Sequence, residues 1–339
     1  MLPTLPIAAL LAAPPTLAFL YVIWCVRTHR YCVDCRHVPW RRAFLSVAMF
    51  WDVFVWETLF GLRRRLHFSL CPRSNRSADL RSLEKYRTDF SKSSGTMWTA
   101  CPHHLLLPSF FFAFHCEAAG VHAAMGVSLD DIFTAAATVL FYIPVVREVV
   151  ITLGGRIASP NVLAKMKMFA LAPGGVHEMI RQSDDVDRVF LRTGFIRFAL
   201  KKKLDINVIY LFDENTCYKP ISNLPAPLVA FQRWVHRNLG AGLCIWRGRW
   251  GVPFNLVPYP GDYTVGVGRP IPIALADGME EDAAIEFLME KYIAELRRLF
   301  KELQEDTGRR KNVKLEVERL QTRRTRVKSA DGVDGKKRK

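Results

Sequence analysis

The sequence predicts an α/β protein: a mixed sheet covered by helices, preceded by an N-terminal hydrophobic membrane hairpin. Three observations carry this. Short apolar runs rich in β-branched residues recur from residue 141 onward: FYIPVV (141–146), INVIYLF (206–212), AGLCIW (241–246) and YTVGVG (263–268). Each has the length and composition of a buried strand. Helical patterns separate them, one over Val189 to Lys201 and one in AAIEFLMEKYIAELRRLFKEL, which puts Ile285, Leu288, Tyr292, Leu296 and Leu299 on a single face. Helices alternating with buried strands argue for a sheet covered on both faces. The third observation is the uncharged run Leu5 to Val26, long enough to cross a hydrocarbon core.

The elements follow in order. Residues 1–65 form the expected hairpin. Pro14-Pro15 bends the first apolar run, because a proline inside a helix removes a donor and clashes with the preceding turn. The second run, Ala43 to Leu62, carries Asp52 and Glu57, which are costly against lipid, so an interfacial helix fits it better than a second straight span. Basic residues on both sides of that run place both flanks on the cytosolic face. Residues 66–97 read as a polar linker, 98–307 as the α/β domain and 308–339 as a basic, largely disordered tail.

Charge is concentrated rather than spread. The formal net charge is +16, with thirteen Lys or Arg against four Asp or Glu from Arg309 onward, and eight Arg between Arg27 and Arg65. Basic clusters beside apolar spans point to anionic lipid headgroups rather than nucleic acid, and no nucleic-acid-reading motif accompanies them. The terminal KKRK is similar to a dilysine signal for retrieval to the endoplasmic reticulum. The eight cysteines of a cytosol-facing chain read as reduced thiols. His29, Cys32, Cys35 and His37 form the one cluster with metal-ligand chemistry, but their spacing is poor for a closed tetrahedral site, and no metal is expected.

Two stretches carry chemistry. In CPHHLLLPSFFFAF (101–114), Cys101-Pro102 precedes His103 and His104, and an apolar run follows at once. In FALAPGGVHEMI (169–180), a strand-like run ends in Pro173-Gly174-Gly175, and a helical pattern then carries His177 and Glu178. Paired glycines after a strand leave peptide N–H groups free to face a ligand oxygen, though Pro-Gly-Gly is also an ordinary tight turn.

These stretches and three further blocks resemble the type-two diacylglycerol acyltransferase family, which includes monoacylglycerol acyltransferases and wax-ester synthases. CPHH stands where the family has a His-Pro-His-Gly-type box. PVVREVVITLGGRIASP (144–160), PGGVHEM (173–179), RTGFIRFALKKKLDINVIYLFDEN (192–215), and LVPYP with VGVGRPI (256–260 and 265–271) follow in the family's order. The resemblance covers Trp98 to Thr307 and implies a glycerolipid-acyltransferase-like fold.

It also implies transfer of a fatty acyl group from acyl-CoA, a co-substrate and not a resident cofactor, to the free hydroxyl of diacylglycerol, making triacylglycerol. Monoacylglycerol, a fatty alcohol, or no turnover in a lipid-binding relative are the alternatives. His103 matches the second histidine of the box and is the expected general base. Glu178 matches the family glutamate and is expected to hold the imidazole tautomer, as the carboxylate of a Ser-His-Asp triad does. Gly174 and Gly175 are expected oxyanion donors, and His104 and Cys101 expected lining residues. Cys101 and His104 depart from the box, standing where the family has histidine and glycine. Arg192, Arg197 and Lys201 lie in the matching basic block and are expected to meet coenzyme A phosphates. The implied partners are acyl-CoA, a lipid acceptor and the bilayer, with homo-oligomers compatible. The implied location is the endoplasmic reticulum membrane, with the catalytic domain facing the cytosol, and lipid droplets.

Overall fold

The computed structural model describes residues 15–34, 38–40, 62–68, 95–105, 128, 131–179, 186–221, 223–239, 242–255, 257–273 and 279–320. Its first half contains helices α1 (Pro15–Thr28) and α2 (Arg30–Val33), strands β1 (Leu62–Phe68), β2 (Thr96–Cys101) and β3 (Phe133–Ala136), helix α3 (Val146–Thr152), β4 (Gly155–Ile157), α4 (Pro160–Leu163) and β5 (Met168–Leu171). Then come α5 (Val176–Met179), β6 (Val186–Leu191), α6 (Gly194–Lys202), β7 (Asp205–Phe212), β8 (Lys219–Pro220), α7 (Ala226–Leu239), β9 (Trp246–Arg247), β10 (Gly261–Ile271), α8 (Glu281–Thr307) and β11 (Lys314–Arg319).

Seven strands form one mixed sheet in the order β1-β10-β7-β2-β5-β3-β4, as the alternating pattern predicts. From β7 to β4 every pairing is parallel, while β10 runs antiparallel to β7 and β1 lies parallel to β10. The chain builds β2, β3, β4 and β5 on one side and then crosses to β7 on the other side of β2. In open α/β sheets the crevice at the carboxyl ends of the strands around such a crossing is where ligands bind.

Helix α8 supplies the largest contribution to the core. Ile285, Leu288, Tyr292, Leu296 and Leu299 are all buried, as their spacing requires. Burial of each such side chain is worth about 1.5–3 kcal/mol. The helix lies close on the sheet because Gly266 of β10 has no side chain: a Cβ there would stand 2.7 Å from a Leu303 methyl.

Several sequence expectations change. FYIPVV is not a strand: a 3₁₀ turn covers Thr138–Tyr142 and α3 starts at Val146. Pro144 interrupts extended pairing, and Glu148 accepts the Val145 N–H at 3.1 Å, which favours a helix start. Of the described residues of AGLCIW, Trp246 alone enters a strand, β9. The pattern from Val189 divides at Thr193, with strand β6 before it and helix α6 after it.

The domain boundaries move outward as well. β1 pairs within the main sheet through residues expected to be hairpin and linker, and β2 begins at Thr96, inside the expected linker. The expected tail from 308 begins with structure: β11 pairs in parallel with β6, with Leu315 and Val317 packed against the core. Alternation of Leu315 and Val317 with charged residues is a half-buried strand pattern that the high charge of the segment hides.

Of the expected hairpin, Pro15–Thr28 is helix α1, and the second apolar run lies almost wholly outside the described residues. No helix among the described residues is long and apolar enough to cross a membrane. Helix α1 docks on α3: Tyr21 Oη and Trp24 Nε1 each donate to Glu148 at 3.2 Å, and Arg147 Nη2 donates to Thr28 Oγ1 at 2.8 Å. The Arg-Glu pair of the PVVRE block therefore fastens the N-terminal helix to the sheet domain.

Candidate active site

The two chemistry-bearing stretches meet at the carboxyl ends of the neighbouring parallel strands β2 and β5. β2 is buried throughout and ends at Cys101, whose peptide bond to Pro102 is cis, and His103 and His104 follow beyond the end of the strand. β5 leads through Pro173-Gly174-Gly175 into α5, whose single turn carries Glu178 back toward β2.

Glu178 is 2% exposed, and backbone donors hold its carboxylate. Oε1 accepts the Phe190 N–H of β6 at 2.8 Å, and Oε2 accepts the N–H of His103. Gly174 makes this approach possible, since a Cβ at that position would overlap the Glu178 carboxylate. Burial pushes the Glu178 carboxyl up to about 8, against the lowering by its two N–H donors.

The expected hydrogen bond from Glu178 to the His103 ring is therefore replaced by one to the His103 backbone. The ring partner is the next residue: His103 Nδ1 lies 2.7 Å from the His104 carbonyl oxygen. A carbonyl only accepts, so Nδ1 carries the proton in the neutral ring and Nε2 holds the lone pair. His103 is half-buried, and desolvation lowers its pKa below the ordinary imidazole value, which keeps Nε2 unprotonated near neutrality and its lone pair available.

His104 is buried, 3% exposed, and its pKa is pushed down to about 3, first by burial and then by the charges of Arg310 and His103. Cys101 does not line the site through its thiol. It belongs to the core under α8, where its Sγ lies 3.3 Å from Tyr292 Oη. Tyr292 donates its own proton to Thr99 Oγ1 at 2.9 Å, and Thr99 donates to the Asn207 carbonyl at 3.0 Å. Each hydroxyl donates onward, so the thiol donates to Tyr292. Burial holds the Cys101 pKa well above the ordinary thiol value, so no nucleophilic thiolate forms there.

The expected phosphate ligands scatter. Arg192 is exposed just past β6, and Lys201 is exposed in the last turn of α6. Arg197 pairs with Glu281 Oε1 at 3.0 Å and Asp282 Oδ1 at 3.3 Å, across to the first turn of α8. The backbone turn at Gly175 has φ +52°, a left-handed conformation that glycine adopts freely.

Sequence reasoning missed a buried ionic network beside this site. Arg310 binds Asp187 with both terminal nitrogens, at 2.8 and 3.1 Å, and also reaches Asn215 Oδ1 at 3.2 Å. Tyr210 Oη donates to Asp187 Oδ2 at 2.6 Å, and Arg309 pairs with Asp213 at 3.0 Å. Asp187 shares β6 with Phe190, the Glu178 donor, while Tyr210 pairs in register with Cys101 at the end of β2. The network thus braces both supports of the His103–Glu178 contact. No local pattern announces it, because the arginines follow the last long helix and their acids lie far back in the sequence.

Comparison with known proteins identifies the family. A family profile described as diacylglycerol acyltransferase matches residues 82–318. Diacylglycerol O-acyltransferase 1 of Saccharomyces cerevisiae is 27% identical over 59% of this chain and 53% of its own, so the match spans about half of the yeast protein. Acyl-CoA wax alcohol acyltransferase 2 of Mus musculus is 27% identical over 74% of this chain and 78% of its own. Among solved structures, the 1-acyl-sn-glycerophosphate acyltransferase PlsC of Thermotoga maritima aligns with 79% of this chain and 97% of its own at 13% identity and a TM-score of 0.35, a likeness too loose to bear on the site. The profile covers well over half the sequence and contains both stretches that meet at the site, so the chain belongs to the diacylglycerol acyltransferase family.

Proposed function

We propose that this family member transfers a fatty acyl group from acyl-CoA to the free hydroxyl of diacylglycerol, with His103 as general base. The observation that carries the reading is the fixed tautomer: the His104 carbonyl takes Nδ1, and Nε2 remains the basic nitrogen of a half-buried ring at the carboxyl ends of β2 and β5. In this reading Nε2 takes the proton of the acceptor hydroxyl as its oxygen attacks the thioester carbonyl. The backbone N–H groups of Gly174 and Gly175 serve the oxyanion. As the tetrahedral intermediate collapses, the bond to sulfur breaks and the imidazolium returns its proton to the leaving coenzyme A thiolate. Glu178 acts as a positioning residue, holding the His103 backbone rather than its ring.

The chain works at a membrane in this reading, that of the endoplasmic reticulum, with the site on the cytosolic side. Support comes from α1, which leaves Leu17, Phe19, Leu20 and Val26 exposed, and from Val145 and Val149, exposed at and on the helix that α1 docks on.

The test is acyl transfer from labelled acyl-CoA in isolated membranes, with diacylglycerol, monoacylglycerol and a long-chain alcohol offered in parallel. Labelled triacylglycerol is expected as the main product, and His103→Ala should lower its rate by about a hundredfold or more. A preference for the alcohol would correct the acceptor. Undiminished turnover in His103→Ala would end the base assignment, and a protein inert toward all three acceptors would favour the lipid-binding relative.

A further inference from the structure

The segment between β7 and β10 has an unusual composition. From Asn215 to Gly261 it contains Lys219, Arg233, Arg237, Arg247 and Arg249 and no Asp or Glu. Its fold also inverts the usual order of helix faces. On α7, Val235 is buried and Gln232 donates inward to the Leu243 carbonyl at 2.7 Å. The two largest apolar side chains face outward instead: Phe231 and Trp234 are 50% and 53% exposed and stack on each other, with ring centroids 6.0 Å apart. Arg233 and Arg237, one turn apart, are exposed on the same helix.

A second apolar tip follows after β9. Trp250 is 67% exposed, with Val252 and Phe254 exposed beyond it. This tip is firmly built. Arg249 N–H donates to the Val257 carbonyl at 2.8 Å, Asn255 Nδ2 to the Arg249 carbonyl at 2.7 Å, and Phe254 N–H to the Trp246 carbonyl at 2.8 Å. The Arg249 guanidinium lies 5.6 Å from the Trp250 ring centroid. Outward aromatics interleaved with cations and free of acid are the chemistry of a surface that meets apolar chains beneath anionic headgroups. A scatter of single exposed apolar residues would need no such account.

The same segment closes on the candidate site. Cys244, Cys217, Tyr218 and Tyr263 form a buried cluster with Leu105, the residue after His104, and Met179, the residue after Glu178, packs against it. Trp246 of β9 also packs against this cluster, and its ring meets that of Phe254 in the outer tip edge-on, with centroids 5.2 Å apart.

We propose that the 215–261 segment docks on a lipid leaflet, with Phe231, Trp234 and Trp250 entering its acyl region and Arg233, Arg237 and Arg249 meeting anionic headgroups. Docking there sets the mouth of the His103 site at the lipid surface and so governs how a membrane-dissolved acceptor reaches it. The link to turnover rests on the acyltransferase reading above, whereas the docking does not.

The experiment uses the full-length chain in phosphatidylcholine vesicles, with or without phosphatidylserine and with or without brominated acyl chains. The double variant Trp234→Phe/Trp250→Phe keeps the apolar surface but removes two fluorophores, so wild type minus variant reports those two tryptophans despite the others. Their difference emission should fall by more than half when the lipids are brominated. Each Arg→Gln change at 233, 237 or 249 should weaken the preference for phosphatidylserine vesicles by about fivefold, the equivalent of about 1 kcal/mol per basic residue at an anionic surface. Difference emission that ignores bromine would overturn the proposal and leave the face to a protein partner. Quenching without any phosphatidylserine preference would overturn the role given to the arginines. His103→Ala, measured alongside, should keep full quenching while losing turnover, so a failed acyltransferase reading and a failed docking face give different results.

Discussion

Glu178 and Asp187 are almost equally sealed from water, 2% and 3% exposed, yet the protein satisfies them in opposite ways. Glu178 is held by two peptide N–H groups, from His103 and Phe190. Asp187 faces a guanidinium bound through two nitrogens and the hydroxyl of Tyr210. Both carboxyls are raised by burial, but only at Asp187 does a full positive charge oppose the rise. A carboxylate without that charge sits at about 8 and changes protonation near neutrality. A carboxylate paired with arginine is an ionic brace. Buried charge in this molecule therefore serves two ends, one at the site and one behind it.

The largest effect expected from breaking this contrast lies in the brace. Arg310→Met fills the space but strands Asp187 as an uncompensated buried charge, which costs about 3–5 kcal/mol. Thermal unfolding in detergent should show it as a marked loss. Arg310→Met combined with Asp187→Asn should recover part of that loss, because the stranded charge is gone. A cost below about 1 kcal/mol for Arg310→Met would place Asp187 with ordinary surface pairs and remove the distinction from Glu178.

Glu178→Gln is the middle case. Glutamine can accept one of the two N–H bonds, but its amide nitrogen then faces the other donor. Leaving that buried N–H unsatisfied costs about 1–3 kcal/mol. The effect falls on stability and on His103 placement together, unlike the pure turnover effect that a carboxylate–imidazole pair would give. Its pH signature has a definite sign. The folded-state pKa is raised from 4.5 to about 8, so the contribution of Glu178 to stability is fully present below 4.5 and is lost as pH rises through about 8. Wild type should therefore lose its advantage over Glu178→Gln across that window. His103 and His104, whose pKa values are lowered, act in the opposite direction but equally in both proteins. A stability difference that stays flat with pH would show that Glu178 does not titrate there.

The contrast also shows what a sequence makes legible. α8 was readable because Ile285, Leu288, Tyr292, Leu296 and Leu299 repeat at the helical period, and β7 because INVIYLF has the length of a strand sealed on both faces. His103 and Glu178 were readable as a pair through the resemblance of the CPHH and PGGVHEM blocks to the family's, not through any local pattern that joins them. The atom that Glu178 would bind was not, since a backbone N–H has no sequence signature. The Val146–Thr152 helix was hidden by β-branched residues, whose strand preference gave way to the Glu148 cap and to the docking of Arg147 on α1. The brace was the least visible part: Arg309 and Arg310 sit in a stretch dense with charge, and their partners become neighbours only once the sheet has formed.

Cys101→Ser should have the smallest effect and would extend the comparison to a neutral group. The thiol lies fully buried at the end of β2, one peptide bond from Pro102 and two residues from His103, so position alone would suggest chemistry. Its surroundings argue otherwise. The proton runs from Cys101 to Tyr292, from Tyr292 to Thr99 and from Thr99 to the Asn207 carbonyl, a chain in which every member is satisfied without any charge. Serine can donate in the same direction, at the cost of a shorter reach and a slightly smaller side chain, which is about 1 kcal/mol for a bond of this kind. Because the group faces the core beneath α8, turnover should stay within about threefold of wild type, less than 1 kcal/mol of barrier. The measurement is labelled acyl transfer by Cys101→Ser beside His103→Ala in the same membranes. A dead serine variant, together with a thioester-linked acyl group recovered on Cys101 from wild type, would mean that the thiol leaves its hydroxyl chain and attacks the acyl donor, and the base at His103 would then serve deacylation instead of direct transfer.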